Sequence, residues 1–540
     1  MTTLTAGPAT KTEAPSALRS GALMAAGSLV SRATGFVRAA VVAAALGAGL
    51  VADGYAVGNS VPTIVYMLLL GGALNAVFVP ELVKAAKEHE DGGAAYTDRL
   101  LTLCALALAA LTATAVLAAP ALVDAYTDYT GGQRDLTIAF TRACLPQILF
   151  LGLFTLLGQV LNARGRFGAM MWTPVLNNVV VVAVFGLFLL VGDGGELTAG
   201  ETALLGWGTT AGIAVQALAL VPSLRAARFR FRPRFDWRGS GLTAPLRAAG
   251  WLVLLVLTNQ AAYWVTTWVA TSAGTDARTG GAGLAAYNNA YLLWAVPHGI
   301  VTVSLVTALM PRMSAAAAAG DLAAVRRDVG YAQRTAAAAV VPAACALLAL
   351  AVPLMSAVFG HGATGPADVR AMAWTLMALA PGLIALSGQY VCTRAFYALR
   401  DTRTPFLLNL VIAGLNALLS LAAYHWLPTR WTVTGMAAGY SLALWAGWAL
   451  TAHVLRRRLP ASDDGGTGLG RLLIAAVPAV GYGLHVTDGT APAGAVVSGL
   501  AGAAAVLGTF AALARPLRLT EVAALLTAAA GRARRLARRA

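Results

Sequence analysis

Residues 145–166 read "LPQILFLGLFTLLGQVLNARGR" and residues 380–401 read "APGLIALSGQYVCTRAFYALRD". Pro146 matches Pro381, and Ala163 matches Ala398 at the same offset. Each copy runs on into Thr-Pro (Thr173-Pro174; Thr404-Pro405) and then an asparagine, Asn177 or Asn409. A match at fixed offset is the signature of a duplicated architecture. Six apolar segments separate the copies, so both cross a membrane in the same direction. That implies two parallel six-helix lobes related by an axis along the membrane normal, an arrangement used for alternating access.

Working outward, the whole chain reads as membrane-embedded. Of its 540 residues 58% are hydrophobic and 11% charged, against about 25% charged in soluble domains. The mean hydropathy is +0.70. Fourteen apolar segments, from 22–48 to 492–514, are each long enough for a helix to cross about 30 Å of hydrocarbon. None alternates in the short segments a β-barrel needs. The expected fold is an all-α polytopic membrane protein of about 14 transmembrane helices, two parallel-repeat lobes plus a terminal helix pair. The expected domains are a disordered tail (1–20), an N-lobe (21–232), a C-lobe (233–458), the terminal pair (459–514) and a basic tail (515–540).

The net charge of +16 follows the loops. Arg134, Arg278, Arg370 and Arg430 fall in one set of loops, and Arg32, Arg38, Arg142 and Arg394 within segments; every other Lys and Arg lies in the opposite loops and tails. Asp124, Asp128, Asp135, Glu196, Glu201 and Asp368 collect on the Arg-poor side. This positive-inside pattern predicts a multi-pass plasma-membrane protein with both termini cytoplasmic, and it accounts for the basic balance without nucleic acid. The linker "RAARFRFRPRFDWR" (225–238) reads as a topology anchor on anionic headgroups, or as a docking surface for a phosphorylated lipid. Cys104, Cys144, Cys345 and Cys392 lack zinc or redox spacing and read as small packing residues. No catalytic motif is present, so no enzyme and no cofactor is expected.

Chemistry concentrates in a few polar residues. Arg32 falls about 15 Å into the first segment and Arg38 about 9 Å further, roughly 120° around the helix. An arginine at a helix centre costs about 2.5–3.5 kcal/mol on insertion scales. Snorkelling suits Arg38 better than Arg32. The other reading is a water-filled cavity where both forks bind an anion, since guanidinium matches phosphate bidentately and stays charged. Asp53 is either an N-cap or loop acid, or a gate residue. Arg142 either adds to the cavity or snorkels. Asn59 belongs with the in-helix amides that tie helices together. Pro62 and Pro297 offer bends suited to a gate. His298 reads as a packing or pore residue.

"SRATGFVRAAVVAAALGAGLVADGYAVGNSVPTIVYMLLLGGALNAVFVPEL" (31–82), with "LMPRMS", "LNARGR" and "TPVLNN", resembles the MurJ/MviN lipid II flippases of the multidrug, oligosaccharidyl-lipid and polysaccharide exporter superfamily. The resemblance implies a lipid II substrate, a polyprenyl-pyrophosphate glycopeptide carried to the outer leaflet. It also implies that Arg32 and Arg38 contact the pyrophosphate and that Asp53 is the family's essential aspartate. Drive would come from the membrane potential, about 2.3 kcal/mol per charge per 100 mV, or from a monovalent ion. Partners beyond lipid II are membrane lipids and, in such a pathway, cell-wall synthesis or division proteins. The pattern departs at Tyr66, Met67 and Gly71, at Tyr291-Leu292 and at Ala39, where many members carry charges; the Ala- and Arg-rich, Lys-poor composition fits a divergent high-GC bacterial branch. The alternatives are an exporter of another polyprenyl-linked saccharide, a cation-coupled drug antiporter and a non-transport scaffold.

Overall fold

The computed structural model describes residues 14–67, 93–166, 168–192, 197–236, 250–275, 282–460, 468–490, 493–525 and 527. The first helices are α1 (Ala14–Leu46), α2 (Leu50–Tyr66), α3 (Ala94–Leu117), α4 (Ala119–Tyr126), α5 (Gly131–Cys144), α6 (Gln147–Ala163), α7 (Gly168–Val191), α8 (Ala199–Leu218) and α9 (Val221–Ala226). Then come α10 (Gly250–Gly274), α11 (Leu284–Pro297), a π turn (His298–Thr302), α12 (Val303–Ala318), α13 (Leu322–Ala349) and α14 (Ala351–Phe359). The last are α15 (Pro366–Leu379), α16 (Gly382–Ala398), α17 (Arg403–Trp426), α18 (Thr429–Arg458), α19 (Leu469–Thr490) and α20 (Ala495–Ala514).

Among the described residues, ten helical stretches are long and apolar enough to cross a membrane, or eleven if the bent pair α15–α16 is one span. The protein is an all-α polytopic membrane protein. The three other predicted segments hold α2, α10 and α18, which do not meet that criterion over the described residues. Helix α1 already begins at Ala14, because Pro15 in a first turn gives up no helical hydrogen bond and Ala, Leu and Arg favour helix. Gly71-Gly72 and Pro80, which the sequence also offers as a break in the second apolar segment, and residues 528–540 of the basic tail lie outside the described residues.

The duplication is visible as a shared break. Pro146 precedes α6 and Pro381 precedes α16, each as the N-cap of the second half of a broken helix. Proline has no N–H to give and its ring crowds the carbonyl four residues back. Tight bonds take over at both joints: Leu149 N to Pro146 O at 3.2 Å, and Leu383 N to Ala380 O at 3.2 Å. In the second copy the two halves meet at 45°.

Contacts divide the described chain into two units. Residues up to 45, 58–122 and 136–236 form the first; 46–57, 123–135 and those from 250 onward form the second. The lobes expected at 21–232 and 233–458 therefore differ from these units at two hairpins. The hairpin residues carry polar groups that find partners on later helices. Trp264 Nε1 donates to Ala125 O at 2.6 Å and Ser272 Oγ to Asp128 Oδ2 at 2.9 Å. Between them, Gln133 Nε2 donates to Leu50 O at 2.6 Å, and Gly47 turns the chain at φ 72°, a left-handed conformation open to glycine.

Within the first unit the basic linker, described to Asp236, is tied to protein at several points, while Phe231, Phe235 and its arginines stay exposed. Arg99 Nη2 pairs with Asp236 Oδ2 at 2.5 Å and Arg234 N donates to Thr102 Oγ1 at 3.0 Å. Arg164 Nη1 donates to Ala227 O at 2.9 Å while its guanidinium covers the Phe229 ring. Phe229 is buried; Phe231 and Phe235 are exposed.

Helix α8 packs on α7 through glycine. A Cβ at Gly212 would lie 2.4 Å from Asn177 Oδ1 and 3.1 Å from the Asn177 carbonyl oxygen, whereas Gly186 has open space around it. Close approach of this kind is how membrane helices gain packing without a hydrophobic drive. Gly212→Leu is expected to destabilise by about 1–3 kcal/mol through overpacking, and Gly186→Ala to be neutral within about 0.5 kcal/mol. Thermal unfolding of the detergent-purified variants measures both; equal melting temperatures would contradict the packing.

Candidate functional site

Helix α1 presents two faces. Asn178 Nδ2, from α7, donates to Ser31 O at 3.1 Å and Thr34 Oγ1 at 3.0 Å, and Gly35 faces the same amide. By helical geometry Arg38 shares this face, while Arg32 lies about 120° away. Exposure agrees: Arg38 is half-buried and Arg32 exposed. Arg38 is within electrostatic reach of the Cys144 thiol. Neither arginine has a hydrogen bond or ion pair among the described residues.

Arg142 is exposed in the last turn of α5, where a cation complements the helix dipole. Asn59 Oδ1 accepts from Gln147 Nε2 at 3.4 Å, a tie between α2 and α6. Pro62 is buried inside α2, which continues past it to Tyr66. Pro297 ends α11, and the next five residues form the π turn, a one-residue excess common at functional positions. His298 opens it, its Nδ1 3.0 Å from Ser387 Oγ and its ring edge-on to Tyr390.

Asp53 is 1% exposed, which removes the reading of a solvated loop acid. It lies in the first turn of α2, yet its bond is to a different helix. Asp53 Oδ1 accepts from Ala285 N at 2.7 Å, at the start of α11. The N-cap of α11 is Gly283, which has no side chain to offer. Asp53 therefore serves as a cap from elsewhere in the chain, its carboxyl oxygen accepting from an open N–H of the helix start. Two glycines make the room. A Cβ at Gly283 would meet Asp53 Oδ2 at 1.6 Å, and one at Gly274 would meet it at 2.6 Å. Oδ2 has no hydrogen-bond partner among the described residues, and Asp53 forms no ion pair there.

Asp53 was legible in the sequence; its partners were not. Gly274, Gly283 and Ala285 N–H carry no motif. The one usable signal is that "GAGLAAY" enters an apolar run without a capping side chain of its own.

The arrangement is thus a pair of cations in one helix with no ion-pair partner among the described residues and, in the other unit, a buried carboxylate that fastens a hairpin to a helix end. The chain matches the family model described as "Lipid II flippase MurJ" over residues 42–499. It is 27% identical over 435 residues to the "Lipid II flippase MurJ" of Burkholderia cenocepacia, covering 79% of this chain and 80% of that one. A solved structure titled "Lipid II flippase MurJ, inward closed conformation" superposes with a TM-score of 0.73 at 16% identity, over 92% of this chain and 99% of the other. An inward-facing multidrug resistance MATE family transporter of the MOP superfamily superposes at 0.56 and 16% identity, over 80% and 94%. These two share the fold.

Replacing Gly283 by alanine drives a methyl into the Asp53 carboxylate. Gly283→Ala is expected to cost about 1–3 kcal/mol and Asp53→Ala about 0.5–2 kcal/mol as a lost cap. The double variant should lose less than the sum, because the second change relieves the clash made by the first. Thermal unfolding of the four proteins measures the coupling, and strict additivity would refute it.

Proposed function

The chain belongs to the lipid II flippase MurJ family, whose members are transporters and not enzymes, and from that premise we propose that it moves an undecaprenyl-pyrophosphate-linked peptidoglycan precursor from the inner to the outer leaflet of the plasma membrane by alternating access. The reading rests on one observation above the rest: Arg32 and Arg38 lie in a membrane-spanning helix without a carboxylate partner among the described residues. A fixed charge in hydrocarbon is retained where it faces water, a counter-ion or a passing ligand. A pyrophosphate head carries the complementary charge and cannot enter hydrocarbon unaided, because desolvating it costs tens of kcal/mol in the Born limit. Arg32, on the open face of α1, makes the first contact. Arg38, about 9 Å along the helix, makes the next.

Both termini are cytoplasmic in this reading, as the loop arginines favour. The Asp53 cap then sits toward the outside and fastens the start of α2 to α11, a tie that a gating movement of α11 would have to break. Pro297 and the π turn give the α11–α12 helix its bend. Asn59, Pro62 and Arg142 support the helices that carry these groups.

A drug antiporter coupled to cations uses a carboxylate within the membrane. The buried carboxylates among the described residues are Asp53, Asp98 and Asp328. Each lies within two turns of a helix start. Asp328 is also neutralised by Arg312, with Nε to Oδ2 at 2.8 Å. That placement disfavours the antiporter.

Complementation of a flippase-depleted bacterial strain tests the proposal. The wild-type chain should restore growth and clear lipid II from the inner leaflet. Arg32→Ala and Arg38→Ala, at equal expression, should not. Arg32→Lys should rescue weakly, since a lysine keeps the charge but not the bidentate fork. Growth on both alanine variants would overturn the role of the arginines; accumulation of a different glycolipid on depletion would make the chain an exporter of that saccharide.

A further inference from the structure

The second unit contains a charged cleft unrelated to the α1 arginines. Helices α13 and α18 form its walls and α16 its floor, around a cavity of about 440 Å³. On α13 the residues facing in are Arg326, Gly330, Gln333 and Arg334, spaced i, i+4, i+7, i+8 along one stripe. On α18 they are Trp445, Trp448, Ala452 and Arg456, again one stripe. Arg326 lies near the start of α13 and Arg456 near the end of α18, and both charges reach the Cys392 thiol in the floor. The two arginines therefore share one end of the cleft.

Among the described residues the charge there is only partly paired. Arg334 Nε is held by Glu521 Oε1 at 3.4 Å. Arg326 and Arg456 have no carboxylate partner among the described residues. Gln333 Nε2 is spent on Cys392 Sγ at 3.2 Å, and Trp445 Nε1 on Pro381 O at 3.1 Å. The polar end thus offers two guanidinium groups with no carboxylate partner among the described residues, and the other end offers two indole faces about 12–16 Å further along α18. Gly330 and Ala452 keep the space between the walls open. A cationic mouth beside an aromatic wall, at the end of a bundle of membrane-spanning helices, matches a phosphodiester with acyl chains attached.

We propose that this cleft binds the headgroup of an anionic glycerophospholipid, its phosphate between Arg326 and Arg456 and its upper acyl chain along Trp445 and Trp448. The proposal does not depend on the substrate assigned above.

Native mass spectrometry of the full-length protein, offered phosphatidylglycerol and phosphatidylcholine in equal amounts, tests it. The wild type should retain phosphatidylglycerol in preference. Arg326→Gln with Arg456→Gln should weaken retention roughly thirtyfold, since each basic residue near an anionic lipid surface contributes about fivefold. Arg327→Gln with Arg457→Gln removes the same charge outside the cleft and should leave retention unchanged. Gly330→Leu fills the cleft without removing a charge; its added Cβ meets only the Arg334 Nη1 atom, at 3.4 Å. It should lose the lipid while staying monodisperse. Retention by the Arg326/Arg456 variant, equal loss in the Arg327/Arg457 control, or stripping of the lipid by millimolar inorganic phosphate would each overturn the site.

Discussion

A carboxylate taken out of water must be answered by something, and in this protein the answer to Asp53 is a helix end. The first N–H groups of any helix lack intrahelical partners. Burying them beside hydrocarbon costs free energy unless an acceptor is supplied. Gly283 cannot supply one, so the hairpin after α1 does, from a residue 232 positions away in sequence. One contact discharges two debts, the desolvated acid and the open helix start. It also explains why 46–57 groups with the later helices.

The same accounting runs through the loops. Acids in the loops of both sets are also caps. Glu201 completes a capping box with Thr198, its Oε2 accepting from Thr198 N at 2.8 Å. Asp321 Oδ1 accepts from Ala324 N, and Asp401 Oδ1 from Thr404 N. Asp401 further pairs with Arg458 at the far end of α18. Loop charge in this chain is therefore local structure first, and the topological pattern is built on top of it.

What could be read from the residues alone follows from these facts. The fold class was legible because hydrocarbon imposes length and apolarity on each span, and the duplication because Pro146 and Pro381 break their helices in the same way. Arg32 and Arg38 stood out because charge is costly where they lie. Asp53 stood out too, but its capping role did not, since hydrogen bonds to backbone N–H leave no residue pattern. The start of α1 and the grouping of the hairpins were not legible, because both are decided by contacts and capping rather than by hydropathy. The Arg326–Arg456 cleft was invisible for the same reason. Its two walls are more than a hundred residues apart, and each stripe alone looks like an ordinary amphipathic helix end.

The π turn after Pro297 has a bearing on sequence change. Five residues there do what four would do in an α-helix, so everything downstream is rotated by about 100° relative to an uninterrupted helix. Val306 and Met313 reach the buried cluster around Phe396 in that rotated frame. Losing a single residue between His298 and Thr302 would therefore swing both side chains off the core and bring others in their place, while leaving the hydropathy of the segment almost unaltered. Length at this point, more than composition, is what the chain must keep.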